Sequence, residues 1–258
     1  MHRSCGNFKR ASIFGAYDID APERERAGRR FQEVVRPGHV SAIAPRYDLL
    51  NHVLSLNIDR RWRRAAVRRV GWQAIPEGTY LDVCAGTLDL AAELARQPTF
   101  RGRVVGADFV VPMLRLGVGK ATRVCPVAAD TLTLPFADET FHGCMVAFGV
   151  RNLIDAGAGL AEMARVVKSG CRVVVLEFSL PTAWPIRPLY LSYFRHVLPR
   201  IGRLVSKHTS AYDYLPDSVQ GFPHPDEVQD QFREARLTDV GHRSLTFGVA
   251  SLYWGSRA

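Results

Sequence analysis

No uncharged apolar stretch in the chain approaches the roughly 20 residues that a membrane-spanning helix requires. The N-terminus likewise lacks the apolar core of about 7–15 residues that marks a secretory leader. These absences predict a soluble chain kept in a reducing, cytoplasmic compartment. Cysteine is sparse: Cys5, Cys84, Cys125, Cys144 and Cys171 stand singly, with no C-x-x-C, which excludes a zinc ribbon or a dithiol redox motif. The last four read as small buried residues of strands, and no metal is expected. Internal repeats and low-complexity tracts are missing too. With 47% apolar and 23% charged residues, a disordered, collagen-like or disulfide-dense protein is excluded.

Acidic residues are absent from two stretches, 1–17 and 182–207. Residues 1–75 carry 15 Lys/Arg against 7 Asp/Glu, so nearly all of the net charge of +9 lies there. Such a basic face suits nucleic acid or an anionic membrane, or is simply a solvated surface. Residues 1–38 mix charge clusters with Pro22, Pro37 and Gly38 and read as a flexible basic extension. The domain proper is expected over 39–258, opening with helices up to Arg69. Six arginines between Arg60 and Arg69 crowd one or two helical faces.

From residue 79 strands and helices alternate. Strands are expected at 80–85, 104–107, 127–129, 141–148 and 172–178, with helices at 90–95, 111–123 and 155–167 between them. A helix at 225–235 and two abutting strands, 238–245 and 246–254, close the chain; strands joined so tightly form a hairpin, so one is antiparallel. The fold class is therefore α/β and Rossmann-like, a seven-stranded, mostly parallel sheet with an antiparallel last strand and helices on both faces. The aromatic and basic segment 182–215 is expected as a helical cap over the strand ends.

Ligands of open α/β sheets bind beyond the carboxyl ends of the strands, where strand order reverses. Those ends carry Asp82 with Gly86 and Thr87, then Asp108, then Asp130 with Thr131, then Ala147 to Asn152. The G-x-G-x-x-G turn of a dinucleotide site is absent, and Asp82 sets negative charge where a pyrophosphate would lie. S-adenosylmethionine, a cation without phosphate, suits the pattern better. Asp108 would accept from its ribose hydroxyls and Asp130 from its adenine amine. Alternatively each Asp is a helix cap or turn residue.

The blocks Ile43-Ala44-Pro45-Arg46-Tyr47-Asp48-Leu49-Leu50-Asn51, Phe148-Gly149-Val150-Arg151-Asn152, Leu176-Glu177-Phe178-Ser179 and His196-Val197-Leu198-Pro199-Arg200-Ile201-Gly202 carry a specific resemblance. With Leu132–Phe141 and Tyr212-Asp213-Tyr214-Leu215, they make the chain similar, from about residue 40 to 256, to the ubiquinone/menaquinone biosynthesis C-methyltransferases. The resemblance implies a class I methyltransferase fold and S-adenosylmethionine as methyl donor. Cofactor contacts fall on Asp82, Gly86, Thr87, Asp108, Asp130, Thr131 and Ala147. Two departures stand out: Leu88 replaces a glycine of the family's first turn, and Ala147 replaces a common serine.

The implied acceptor is a polyprenylated quinol, demethylmenaquinol or 2-polyprenyl-6-methoxy-1,4-benzoquinol, methylated on a ring carbon. Arg151 is then the cation beside the phenolate, Asn152 orients a ring oxygen, His196 accepts the proton, and Tyr47 lines the pocket. The structural alternatives are a salt bridge from Arg151 to Asp48 or Asp155 and a packing role for His196. Leu189, Tyr193, Val197, Ile201 and Leu204 recur at helical spacing beside basic residues, as in an interfacial helix at the inner membrane. Nucleic acid is not expected as a partner, and a homodimer is open. Two rival readings are a nucleic-acid methyltransferase and an inactive scaffold for quinone-synthesising enzymes.

Overall fold

A computed structural model of the chain describes residues 55, 57–181, 183–193, 219 and 221–258. Seven strands form one sheet: β1 (Thr79–Val83), β2 (Arg103–Asp108), β3 (Val124–Ala128), β4 (Cys144–Ala147), β5 (Arg172–Phe178), β6 (Leu237–Leu245) and β7 (Ala250–Arg257). Their order is β3-β2-β1-β4-β5-β7-β6. Neighbours from β3 to β5 pair in parallel, and β7 runs antiparallel to both β5 and β6. The expected seven-stranded sheet with an antiparallel last strand is the observed one. A 3-10 turn at Thr246–Gly248 joins the final hairpin.

The central strands β1, β4 and β5 bury apolar side chains on both faces because both faces are covered, with Asp82 and Glu177 the buried exceptions. Val173 and Val175 of β5 enter one core with Leu81, Val105, Met163 and Phe232, whereas Val174 and Leu176 enter the other with Trp62, Tyr80, Leu94 and Leu252. Helix α1 (Asp59–Arg69) lays Trp62, Ala66 and Val67 on the second core and leaves Arg60, Arg61, Arg64 and Arg68 in solvent; Arg63 is buried. Helices α2 (Asp89–Ala95) and α3 (Val111–Gly117) follow β1 and β2. The expected helix 111–123 stops at Gly117, where Val118 turns extended and Gly119 takes φ +88°. Helix α4 (Ala156–Val166) is capped by Asp155, whose carboxylate accepts from the Ala158 N–H at 2.9 Å.

Helix α5 (Ile186–Ser192) lies in the described part of the expected cap, 183–193; residue 182 and residues 194–215 lie outside the described residues. Helix α6 (Pro225–Glu234) precedes the hairpin. Cys144 is buried in β4 and is, with Cys84 and Cys171, a free thiol. Cys125 lies on the edge strand β3 as expected of a strand residue, but it is half-buried rather than buried, and it is disulfide-bonded.

Leu88 takes a left-handed conformation (φ +67°), which costs a non-glycine residue about 1–2 kcal/mol. Its side chain is 1% exposed and fills a hollow made by two glycines. A Cβ on Gly106 would lie 2.3 Å from Leu88 Cδ2, and one on Gly117 would lie 2.7 Å from Leu88 Cγ. Burying a leucine contributes about 1.5–3 kcal/mol, enough to offset the backbone strain. Gly106→Ala should therefore destabilise the fold by about 1–3 kcal/mol by overpacking. In a Leu88→Ala background the same change should cost much less, read from denaturant midpoints. Equal losses in both backgrounds would contradict this packing.

Candidate active site

Strand order reverses between β1 and β4, so the carboxyl ends of β1, β2, β4 and β5 open onto one crevice. The turn leaving β1 is built from left-handed residues: Cys84 at φ +49°, Gly86 at φ +52° and Leu88 at φ +67°. Such a turn points backbone N–H groups inward. The Gly86 N–H donates to Asp108 Oδ2 at 2.8 Å, and the Val110 N–H donates to Asp108 Oδ1 at 2.7 Å. Each oxygen retains accepting capacity for a further donor. Asp108 is 7% exposed; burial raises its pKa, and the two N–H groups oppose that shift.

Asp82, 1% exposed, accepts from the Ala91 N–H at 2.9 Å and so ties the first turn of α2 to β1. Burial pushes its carboxyl up to about 8, while Ala91 and the Arg63 charge pull it down. Thr87 and Thr131 are each 4% exposed. The Thr131 hydroxyl lies 3.4 Å from the Cys84 sulfur. Burial, with Asp108 nearby, pushes the Cys84 thiol up to about 12, so it stays protonated and unreactive. Asp130 is half-buried, and its Oδ1 accepts from the Leu132 N–H at 2.9 Å in an Asx turn. Ala147, half-buried, ends β4.

Arg151 stands on a 3-10 turn just beyond β4. Its Nη1 donates to Glu177 Oε1 at 2.5 Å and to the Phe148 carbonyl at 2.6 Å. The Arg151 and Glu177 side chains are 4% and 0% exposed. Among the described residues Arg151 forms its salt bridge with Glu177, while Asp155 caps α4; Asp48 lies outside the described residues. Asn152, on the same turn, is half-buried. Phe148 stacks on Phe178 with centroids 4.3 Å apart, and Trp62 meets both rings edge-on at 6.2 and 6.1 Å. Tyr47 and His196 lie outside the described residues.

A cleft of about 260 Å³ includes Ser179, Arg187, His224 and Ser251 in its lining. Ser179 Oγ bonds the Gly248 carbonyl and lies 2.9 Å from Ser251 Oγ, which lies 3.0 Å from His242 Nε2. Sequence reasoning gave Glu177 no role, although a lone acid at the end of a buried strand is itself a signal, because such a charge needs a partner. It also grouped Arg63 with its solvated neighbours.

Asp82, Asp108 and Asp130 make the ends of β1, β2 and β3 rich in hydrogen-bond acceptors. Residues 31–257 match the model of the ubiE/COQ5 methyltransferase family. The chain belongs to that family. It is 44% identical over 223 residues to the ubiquinone/menaquinone biosynthesis C-methyltransferase UbiE of Geobacter sulfurreducens, covering 84% of this chain and 86% of the relative. Over 239 residues it is 41% identical to the demethylmenaquinone methyltransferase of Deinococcus radiodurans, covering 91% and 95%.

Among solved structures, the chain resembles the putative methyltransferase complexed with the Haloferax volcanii Trm112 activator at a TM-score of 0.58, with 14% identity and coverage of 93% and 99%. A second is the S-adenosylmethionine-dependent methyltransferase of Thermotoga maritima titled a possible histamine N-methyltransferase, with a TM-score of 0.57, 14% identity and coverage of 85% and 98%. At that identity these neighbours speak to the fold, which is the class I methyltransferase fold. Family and fold together make this ubiE/COQ5 member a methyltransferase with S-adenosylmethionine as its donor.

The raised Asp82 pKa sets a pH dependence. Below the unfolded carboxyl pKa of about 4 the group is protonated in both states, and its contribution to stability is fully present. As pH rises toward about 8, the unfolded chain releases that proton while the folded chain holds it, so stability falls. Asp82→Asn, which can still accept from Ala91, should flatten the decline of the urea midpoint between pH 5 and 8, an interval set by these about-4 and about-8 limits. A decline of unchanged slope would place the titration elsewhere.

Proposed function

We propose that this methyltransferase places a methyl group on a ring carbon of a polyprenylated quinol, demethylmenaquinol or 2-polyprenyl-6-methoxy-1,4-benzoquinol. The observation that carries the reading is the buried Arg151–Glu177 pair beside the wall formed by Trp62, Phe148 and Phe178. An aromatic wall suits a flat ring, and a cation at its edge suits a ring oxygen. The names of the relatives point the same way, and neither the nucleic-acid nor the scaffold reading draws support from them.

S-adenosylmethionine supplies an electrophilic methyl when bound. Asp108 would hold its ribose hydroxyls, Asp130 and Thr131 its adenine, and Gly86 and Thr87 its amino-acid end, with Ala147 and Asp82 packed behind. A quinol carbon becomes nucleophilic when the neighbouring hydroxyl ionises, and a phenol pKa near about 10 makes help necessary at neutral pH. Arg151 is a poor base because its guanidinium does not titrate in the working range. In this reading it stabilises the phenolate and shares its charge with Glu177. Asn152 orients a ring oxygen, His196 takes the proton, and Tyr47 lines the pocket. Metal plays no part in this scheme.

The prenyl tail of such an acceptor lies in a membrane. Trp184, two residues before α5, and Leu189 within it are 85% and 74% exposed and support a peripheral contact with the inner membrane. Among the described residues no helix is long and apolar enough to cross one.

Complementation of a bacterial strain lacking quinone C-methylation tests the function. Mass analysis should show the methylated quinone restored by the parent gene and lost with Arg151→Met. S-adenosylhomocysteine should bind Arg151→Met as tightly as the parent, since Arg151 lies away from the Asp108 side. Parent extracts containing only unmethylated quinone would overturn the reading.

A further inference from the structure

Among the arginines of α1, Arg63 differs from the rest. It is 8% exposed, whereas Arg60, Arg61, Arg64 and Arg68 are solvated and Arg69 is half-buried over the Trp254 ring. Its Nη1 makes both of its acid contacts, a hydrogen bond to Asp59 Oδ2 and an ion pair with Asp89 Oδ2 at 3.7 Å. Among the described residues, its Nη2 and Nε make no hydrogen bond. A side chain nine-tenths buried thus keeps part of its donor fork unused. The guanidinium lies 5.8 Å from the centroid of the Phe148 ring. It therefore stands between the turn leaving β1, which Asp89 follows, and the end of β4, which Phe148 follows.

We infer that Arg63 receives the amino-acid carboxylate of the cofactor through these unused donors, an assignment that rests on the S-adenosylmethionine reading above. A planar guanidinium fork matches a carboxylate, and in a buried site the pair gains strength. The other described cations bordering the crevice are committed. Lys120 Nζ is 2.6 Å from Asp89 Oδ1, and Arg151 is paired with Glu177. Asp89 and Asp108 border the same turn, so a ligand of net negative charge such as a phosphate would meet repulsion there. A zwitterion does not. Its carboxylate faces Arg63 while its ammonium stays among the acids. Asp59, 1% exposed and bonded by the Ser55 hydroxyl at 2.7 Å, holds Arg63 in place from the far side as a positioning residue.

Two ligands that differ in the amino-acid end test this by calorimetry. S-adenosylhomocysteine has that end, and 5′-methylthioadenosine lacks it while sharing the nucleoside and sulfur. For the parent chain, S-adenosylhomocysteine should bind more tightly. Arg63→Met should weaken S-adenosylhomocysteine at least tenfold and leave methylthioadenosine within about twofold, so the two affinities converge. Arg63→Lys should fall between. Because Arg63→Met strands the buried Asp59, the Asp59→Asn/Arg63→Met double variant serves as the control for folding and should show the same selective loss.

Equal weakening of both ligands in the double variant, or undiminished binding of S-adenosylhomocysteine, would overturn the assignment of Arg63 alone. Failure of the parent chain to bind either ligand would overturn the cofactor reading and this assignment together.

Discussion

The carboxylate of Asp108 holds the site in shape. One oxygen takes the N–H of Gly86 from the turn after β1, and the other takes the N–H of Val110 at the start of α3. Two chain segments that leave adjacent parallel strands are thereby locked at a fixed separation. Ionised carboxylates form stronger hydrogen bonds than neutral groups, and these two partly compensate a burial that disfavours the charge. Were the turn to relax, Gly86, Thr87 and Leu88 would all shift, and Leu88 is the plug of the hollow between Gly106 and Gly117. Site geometry and core packing are coupled through this one residue.

Electrostatics divides the crevice in two. Toward β1 and β2 it is lined by acids whose burial favours their neutral forms, an arrangement that gains from an incoming cation. Toward β4 and β5 it holds a cation, Arg151, neutralised by the fully buried Glu177. A buried pair of this kind contributes little net stability, yet removing one partner is costly because the other charge is left in low dielectric. A donor with positive charge on one side and an acceptor developing negative charge on the other match this division. The family fixes the reaction type, and a prenylated quinol ring is the acceptor we propose.

Much of this was legible beforehand. Strands buried on both faces announce themselves as short apolar runs, so β1, β2 and β5 fell where expected, and strand-end acids stood out because acids are rare there. The span of α3 was overestimated because Gly117 and Gly119 stop it, and a glycine inside a periodic stretch does not by itself decide between continuation and termination. The direction of Leu88 was beyond local reasoning. A positive φ turns its side chain into space left by glycines 18 and 29 residues downstream, a tertiary fact. Arg63 was legible in principle: it shares a helical face with Asp59, Trp62, Ala66 and Val67, all buried at the period of a helix. Charge count hid what periodicity would have separated.

The central claim is that the cofactor binds at the reversal between β1 and β4, against the turn that Asp108 holds. Hydrogen exchange measured by mass spectrometry, with and without S-adenosylhomocysteine, tests it without any mutation. Protection should rise in peptides covering 84–91, 108–114, 129–133 and 147–152, and stay unchanged in the hairpin of β6 and β7. Protection centred instead on that hairpin and the cleft beside Ser251, with the turn after β1 unaffected, would contradict the account.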